Sequence, residues 1–128
     1  MDLKRIELGK MGEKEAEKLL KRAGYKVVER NFRCKYGEID IIALDGGVLV
    51  FIEVKTRTTS DFGSGKEAVN RRKQTKIVKS SLAYINEKWQ GAEPQCRFDV
   101  VSIECVEGRA GKFKSEVIKD AFSADGLI

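Results

Sequence analysis

Four charged side chains in the middle of the chain have types and spacing that could support hydrolysis: Glu38, Asp40, Glu53 and Lys55. Carboxylates bind hard metal ions, and a lysine can stabilise the charge of a phosphate. The chain contains no histidine, which excludes imidazole acid–base chemistry, His-based triads and His-ligated zinc. Any hydrolysis by this chain must therefore use carboxylates, lysine and a hard metal ion.

A predicted β-hairpin carries these four residues. Two apolar runs, Ile39–Leu44 and Val48–Val54, are joined by Asp45-Gly46-Gly47. Apolar runs on both sides of an Asp-Gly turn are a strong hairpin signal. We expect an even turn, which makes Asp45 lie opposite Val48 and sets the pairing of the two strands.

An even turn also places Asp40 opposite Glu53, and Glu38 opposite Lys55. Because side chains alternate along a strand, all four then project from one face, with opposite Cβ atoms about 5 Å apart. Two ionised carboxylates at that separation repel each other, and a divalent cation would offset the repulsion. Mg²⁺ is usually held by one or two carboxylates with water and substrate phosphates, so Asp40 and Glu53 are the predicted metal ligands.

Lys55 is predicted to activate the attacking water or to stabilise the charged phosphate. An alternative stays open, in which Glu38 and Lys55 form a cross-strand salt bridge and Asp40 and Glu53 lie at a solvated strand end. A three-residue turn with a bulge would also shift the pairing and separate Asp40 from Glu53.

The elements around the hairpin follow from hydrophobic periodicity and turn residues. In chain order they are a helix over Glu13–Ala23 ended by Gly24, a strand over Tyr25–Arg30, loops over Asn31–Gly37 and Thr56–Lys66, a helix over Asn70–Lys88, a strand over Phe98–Val106, a turn over Glu107–Gly111, and a short strand or apolar edge at Val117-Ile118 and Ala121-Phe122. The order α-β-β-β-α-β, with that last segment added, predicts an α/β fold with a mixed central sheet flanked by helices.

The bulk composition bounds the class of protein. The 128 residues suit one domain, which we place at 1–128, and the contents of 41% hydrophobic and 35% charged residues are typical of a globular protein. No apolar stretch approaches the ~20 residues that span a bilayer, and the N-terminus has no apolar signal region, so we expect a cytoplasmic protein without membrane contact. The three cysteines are far apart and fit neither a disulfide framework nor a zinc site.

The positive charge is concentrated at the start of the second helix. The net charge is +5, and five cations without an acid fall at Arg71, Arg72, Lys73, Lys76 and Lys79. Such residues give sequence-independent, salt-sensitive contacts to phosphates, whereas an ordinary solvated helix face is the alternative. The residues predicted to contact DNA are Arg57, Arg71, Arg72, Lys73, Gln74 and Lys76.

For several further residues we predict a structural role and not a catalytic one. We predict that Asn31, Phe32 and Tyr36 pack in the core or a loop, with DNA contact or capping of the sheet as the alternatives. Asp99 lies in an apolar strand, and we expect it to form local hydrogen bonds.

Asp40, twelve further residues and Glu53-Val54-Lys55 together resemble the PD-(D/E)XK nuclease motif, with Ile39 in place of the motif's proline. A wider pattern resembles the YraN family of uncharacterised bacterial proteins. It covers nearly the whole chain and consists of Gly12-Glu13 with Ala16, Gly24-Tyr25, Glu29–Arg33, Gly37–Ala43, Val50–Arg57, Phe62-Gly63, Glu67–Val69 and Arg97–Val101.

This resemblance implies a restriction-endonuclease-like core, similar to that of archaeal Holliday-junction resolvases. It implies metal and catalytic roles for Asp40, Glu53 and Lys55, and it adds Glu13 as a further acidic member. The expected function is a DNA endonuclease that uses Mg²⁺ or Mn²⁺ and acts on DNA that includes branched forms. A homodimer is implied by the similarity to resolvases, because a junction has paired strands to cut.

Two alternatives from other functional classes stay open, because function belongs to a site and not to a fold. One is a non-catalytic nucleic-acid-binding module with the same fold. The other is an interaction module whose basic helix docks an acidic protein partner.

Overall fold

A computed structural model describes residues 3–58, 69–106 and 112–127. The elements are α1 Leu3–Arg22, β1 Lys26–Cys34, β2 Gly37–Asp45, β3 Val48–Thr58, α2 Arg71–Lys88, β4 Gln95–Cys105 and β5 Phe113–Phe122. The loop predicted after Thr58 and the turn predicted over Glu107–Gly111 lie outside the described residues.

The five strands form one sheet in the order β1-β2-β3-β4-β5. Strand β3 pairs in parallel with β4, and the other three pairings are antiparallel. The predicted α/β class with a mixed sheet is confirmed, and the element order is compatible with a restriction-endonuclease-like core. Neither helix in the described part of the chain has the length and apolar character needed to cross a membrane.

The hairpin prediction is confirmed in its central part. Asp45 pairs with Val48, and the register continues outward to Ile41 and Ile52, so the turn is even. The loop expected over Asn31–Gly37 is wrong, because β1 runs to Cys34 and leaves a turn of only two residues. The segment is polar and basic since β1 is an edge strand with alternate residues exposed.

Helix α1 begins at Leu3, ten residues before the predicted start. The early turns carry no buried stripe: Ile6 is 39% and Met11 45% exposed, so periodicity gave no signal there. The end of the helix is as predicted. Gly24 has a φ of 94°, and the Tyr25 N–H donates to the Leu20 carbonyl at 2.9 Å, which is the bond pattern of a glycine-capped helix end.

The two faces of the sheet bury separate apolar clusters, each covered by one helix. The cluster beneath α1 includes Leu20, Ile41 and Ile52. The cluster beneath α2 includes Phe51 and Ile77, and it holds most of the core aromatic rings. Both helices are thereby fixed against the central hairpin, which is what positions their polar residues near its ends.

A buried polar network extends from Asp45 at the hairpin turn to Asp99 of β4. The Asp99 carboxylate is fully buried. It accepts hydrogen bonds from the Tyr25 hydroxyl at 2.7 Å, from the Arg97 guanidinium at 2.8 and 2.9 Å, and from the Asp120 backbone N–H at 2.9 Å. Arg97 also donates to Asp45 at 2.8 Å. The local hydrogen-bonding role expected for Asp99 is therefore confirmed.

Candidate functional site

The central sheet opens at the end of the hairpin that is distant from its turn. The ladder between β2 and β3 ends at Ile41 and Ile52. Beyond that pair, β2 continues against β1 to Gly37, and β3 continues against β4 to Thr58. The two central strands therefore part while each keeps its outer neighbour.

Asp40 lies in this opening. Its Oδ2 accepts a hydrogen bond from the backbone N–H of Val54 at 2.8 Å. A strand's backbone N–H points within the sheet toward the neighbouring strand, so the carboxylate occupies the gap between β2 and β3. The Asp40 carboxylate thus takes the place of the backbone carbonyl that would accept this N–H if the β2–β3 ladder continued.

The alternation of faces along β2 is interrupted at Asp40. Ile39 belongs to the cluster beneath α2, whereas Ile41 belongs to the cluster beneath α1. An uninterrupted strand would put both on one face. The direct Asp40–Glu53 pairing predicted from register is therefore corrected, since the ladder ends one pair before these two residues.

Three carboxylates gather on the α1 side of the opening. Oxygen atoms of Glu13, Glu38 and Asp40 all lie within 4.8 Å of one another, and the three side chains are partly buried. Glu38 also lies opposite Arg33 of β1, and their charged groups are 3.6 Å apart. The Glu38–Lys55 salt bridge considered from the sequence is thus replaced by a contact to the other neighbouring strand.

Glu13 reaches this group because its helix lies close to β3. A Cβ built on Gly12 would fall 1.8 Å from Thr56 Oγ1 and 2.8 Å from Thr56 Cβ. Only a glycine permits this approach, which sets the adjacent Glu13 over the opening.

Substitution of this glycine tests the close approach. We expect Gly12→Ala to lower the free energy of unfolding by about 1–3 kcal/mol, because the new methyl group overpacks against β3. Gly9→Ala is the matched control in the same helix: no described atom lies within 4 Å of its added Cβ, so it should stabilise the protein by up to about 1 kcal/mol. Urea denaturation of both variants measures the difference, and equal stabilisation by both would contradict the packing of α1 on β3.

Glu53 lies on the α2 side of the opening and is held by two ammonium groups. Its Oε1 is 3.4 Å from Lys73 Nζ of α2 and 3.8 Å from Lys55 Nζ. The Glu53 side chain is only 6% exposed, whereas Lys55 and Lys73 are 28% and 41% exposed. Both lysine side chains are therefore accessible to a ligand in solvent, and their charges also stabilise the buried Glu53 carboxylate.

Burial and the repulsion between neighbouring carboxylates raise the pKa values of Glu13, Asp40 and Glu53. The pKa of Glu53 rises to about 7, mainly because of burial and then because of the charge of Asp40, with Lys73 and Lys55 opposing the rise. Burial also raises the pKa of Asp40, and the Glu38 charge adds to it. The pKa of Glu13 is raised by burial and by the charges of Asp40 and Glu38. The charged forms of these carboxyl groups are therefore disfavoured, and a nearby cation would stabilise them.

Comparison with known proteins gives the family. A model of the Uncharacterised protein family UPF0102 matches residues 12–103. The chain belongs to the UPF0102 family. This confirms the resemblance to the YraN family, which is the same family.

Individual UPF0102 proteins are similar over nearly their whole length. That of Chlorobium chlorochromatii (strain CaD3) is 44% identical over 119 residues, which cover 91% of each chain. That of Hahella chejuensis (strain KCTC 2396) is 42% identical over 125 residues, 94% of each chain. That of Symbiobacterium thermophilum is 43% identical over 118 residues, 91% of this chain and 97% of the relative.

A cavity and a cleft lead from solvent to the site in this UPF0102 chain. On the α1 side, a cavity of about 400 Å³ is lined by Glu13 and Asp40 together with Lys10 and Lys14. On the α2 side, an open cleft of about 370 Å³ is lined by Asn70, Arg72, Lys73 and Lys76. Solvent therefore reaches both the acidic group, which consists of Glu13, Glu38 and Asp40, and the basic N-terminal turns of α2.

The predicted DNA-contacting residues of the UPF0102 chain lie in three places. Arg72, Lys73 and Lys76 line the basic cleft. Arg71 donates to the Gly126 carbonyl at 2.9 Å and Gln74 donates to the Val69 carbonyl at 3.0 Å, so both have structural contacts. Arg57 lies on β3, two residues after Lys55.

Sequence reasoning missed two features of this site. Glu38 was placed on the same face as Asp40, but it was paired with Lys55 and was not predicted as a metal ligand. Lys73 was predicted to contact DNA, but no local pattern in the sequence predicts its ion pair with Glu53, which joins α2 to β3.

The raised pKa of Glu53 makes stability depend on pH. Its charged form is disfavoured in the folded state, so the penalty is full above pH 7 and fades as the pH falls from about 7 to the ordinary value of 4.5. In chelator, Glu53→Gln should therefore be more stable than the unmodified protein at pH 8 by up to about 3 kcal/mol, with the difference vanishing near pH 4.5. Denaturant unfolding across this range measures the gap. Glu87→Gln, at an exposed position of α2, is the control and should show no such trend.

Proposed function

We propose that this protein is a divalent-metal-dependent DNA endonuclease that hydrolyses phosphodiester bonds. The observation that carries the proposal is the convergence of Glu13, Glu38 and Asp40 in the sheet opening, with Lys55 and Lys73 on its other side. Clustered carboxylates with lysines beside them suit a metal-bound phosphate better than they suit any neutral substrate.

The donor set fits Mg²⁺ or Mn²⁺, which prefer carboxylate oxygens. Glu13, Glu38 and Asp40 would hold the ion, whose charge would stabilise the ionised forms of the partly buried Glu13 and Asp40 carboxyl groups. When bound, such an ion polarises the phosphate and makes its water a better nucleophile. Glu53 was the second predicted ligand, and here it serves to hold Lys55 and Lys73 through its carboxylate.

The lysines act on the phosphate in this proposal. Lys55, about one quarter exposed, stabilises the negative charge that develops on the phosphate oxygens. Lys73 belongs both to the Glu53 contact and to the basic cleft with Arg72 and Lys76. It therefore links the reacting phosphate to neighbouring phosphates of the same strand, and the cleft supplies the salt-sensitive part of the affinity.

A cleavage assay tests the proposal. Linear, flapped and four-way-junction DNA are incubated with the protein in Mg²⁺, in Mn²⁺ and in excess chelator. We expect cleavage of at least one form with either metal and none in chelator. Salt-dependent DNA binding without metal-stimulated cleavage would instead support the non-catalytic binding module. Absence of DNA binding at low salt would support the interaction module.

A further inference from the structure

An exposed aromatic side chain lies at the turn between β1 and β2. Cys34 pairs with Gly37, so Lys35 and Tyr36 alone form the turn. Tyr36 is 39% exposed, whereas the neighbouring aromatics Phe32 and Tyr84 are 5% and 7% exposed and pack edge to face in the core. Of the predicted core or loop positions, Phe32 therefore lies in the core and Tyr36 in the turn.

This turn is held firmly against α2. Cys34 Sγ lies 3.4 Å from Ser80 Oγ. A Cβ built on Gly37 would lie 3.9 Å from both Lys76 Cβ and Ser80 Oγ, which is ordinary packing distance. Because α2 packs against the backbone on both sides of Tyr36, little backbone entropy would be lost when a ligand binds at this turn.

Two lysine ammonium groups lie over the Tyr36 ring. Lys35 Nζ lies 5.1 Å and Lys79 Nζ 5.9 Å from the centre of the Tyr36 ring. Along α2, Lys79 and Lys76 continue to Lys73, and the helix carries no acidic residue before Glu87. An aromatic ring with lysines beside it is the combination that binds single-stranded nucleic acid. A base would take the place of a lysine over the ring, and the displaced ammonium group would contact a phosphate.

The ring is close to the proposed catalytic group. Tyr36 precedes Glu38 by two residues, about 7 Å along a strand. Lys79 and Lys73 are six residues apart, about 9 Å along a helix. A base on Tyr36 would therefore place a nearby phosphate of the same strand at the sheet opening.

From this geometry we infer that Tyr36 is a stacking platform for an unpaired base of the DNA substrate. The inference rests on the proposed function and narrows its substrate to DNA with unpaired bases next to the cleaved phosphate. A base within a duplex is stacked between its neighbours and cannot lie on the ring. Flaps and branch points therefore bind this surface, and fully paired linear DNA does not use it.

Binding measurements in excess chelator test the platform without any cleavage. Fluorescence anisotropy gives the affinity for a blunt duplex and for the same duplex with a single-stranded flap. We expect Tyr36→Ala to weaken flap binding by about 5- to 100-fold and to leave duplex binding within about twofold. Tyr36→Phe keeps the ring and should bind like the unmodified protein.

A second exposed apolar residue provides the matched control. Leu82 of α2 is 44% exposed, so Leu82→Ala removes a comparable side chain away from the turn and should change neither affinity. Circular dichroism of each variant establishes that it is folded. The platform is overturned if Tyr36→Ala binds the flap like the unmodified protein, or if it loses flap and duplex binding equally.

The two proposals can fail separately. If the unmodified protein cuts no DNA in metal but still needs Tyr36 for its preference for flaps, the nuclease proposal fails and the platform stands. If the protein cuts flapped DNA and Tyr36→Ala binds and cuts it equally well, the platform fails and the nuclease proposal stands.

Discussion

The Asp40→Asn variant should cut DNA about 100-fold more slowly than the unmodified protein, or not at all, while it binds DNA with similar affinity. The substitution keeps the shape of the side chain and removes the charge at the centre of the acidic group. In the proposed site Asp40 would hold the metal ion that stabilises the reacting phosphate. Loss of one preorganised electrostatic contribution to the transition state typically lowers a rate by 10²–10³. Single-turnover cleavage in saturating Mn²⁺ measures the effect.

Asp45→Asn is the matched control, because it is the same change at the other end of the same strand. Its carboxylate contacts Arg97 and Lys119, far from the opening. This variant should cut like the unmodified protein. Equal rates for Asp40→Asn and the unmodified protein would remove Asp40 from the proposed site.

Comparison of Glu38→Gln with Glu53→Gln then identifies the metal-holding carboxylates. The geometry places Glu38 with Asp40 and leaves Glu53 to the lysines. We expect Glu38→Gln to weaken Mn²⁺ binding at least about 10-fold, measured by calorimetry, and Glu53→Gln to weaken it less. The reverse order would return Glu53 to the metal site, as the hairpin register alone predicted.

The second large effect is on stability. Asp99→Ala should lower the free energy of unfolding by about 3–5 kcal/mol, a large part of the 5–15 kcal/mol typical of a domain. The variant leaves the Tyr25 hydroxyl, one side of the Arg97 guanidinium and the Asp120 N–H without their buried acceptor. Guanidinium chloride denaturation with two spectroscopic probes measures the loss.

Two further variants separate the buried pair from ordinary surface charge. Asp45→Ala removes a more exposed partner of Arg97 and should cost below about 1 kcal/mol. The double variant Arg97→Met/Asp99→Leu replaces both charges by apolar groups, so it should be less destabilised than the sum of its single variants. Additive losses would mean that Arg97 and Asp99 do not act as a pair.

The sequence predicted the elements whose signals are local. Asp45-Gly46-Gly47 determines the hairpin turn and therefore its register, and Gly24 marks the end of α1 by its left-handed backbone. The start of α1 and the length of β1 were not predictable in this way. Both segments have exposed faces, so their helix or strand conformation leaves no apolar period in the sequence.

The candidate site was predictable in membership and not in arrangement. Residue types and spacing pointed to Asp40, Glu53 and Lys55. Their arrangement depends on one tertiary feature, the hydrogen bond from the Val54 N–H to the Asp40 carboxylate, which lies where β2 and β3 part. A register argument assumes that the ladder continues, so it fails where a side chain replaces a backbone acceptor.

The parallel pairing of β3 with β4 has a consequence during synthesis on the ribosome. Val48 pairs with Gln95 and Thr58 with Cys105, so every pair in this ladder closes a loop that contains all of α2. The β2–β3 hairpin can form as soon as it emerges, but its β3 edge stays open until β4 has been translated. An apolar strand with an unpaired edge readily joins other chains. The nascent protein is therefore most prone to aggregation in the interval when only its amino-terminal half has emerged.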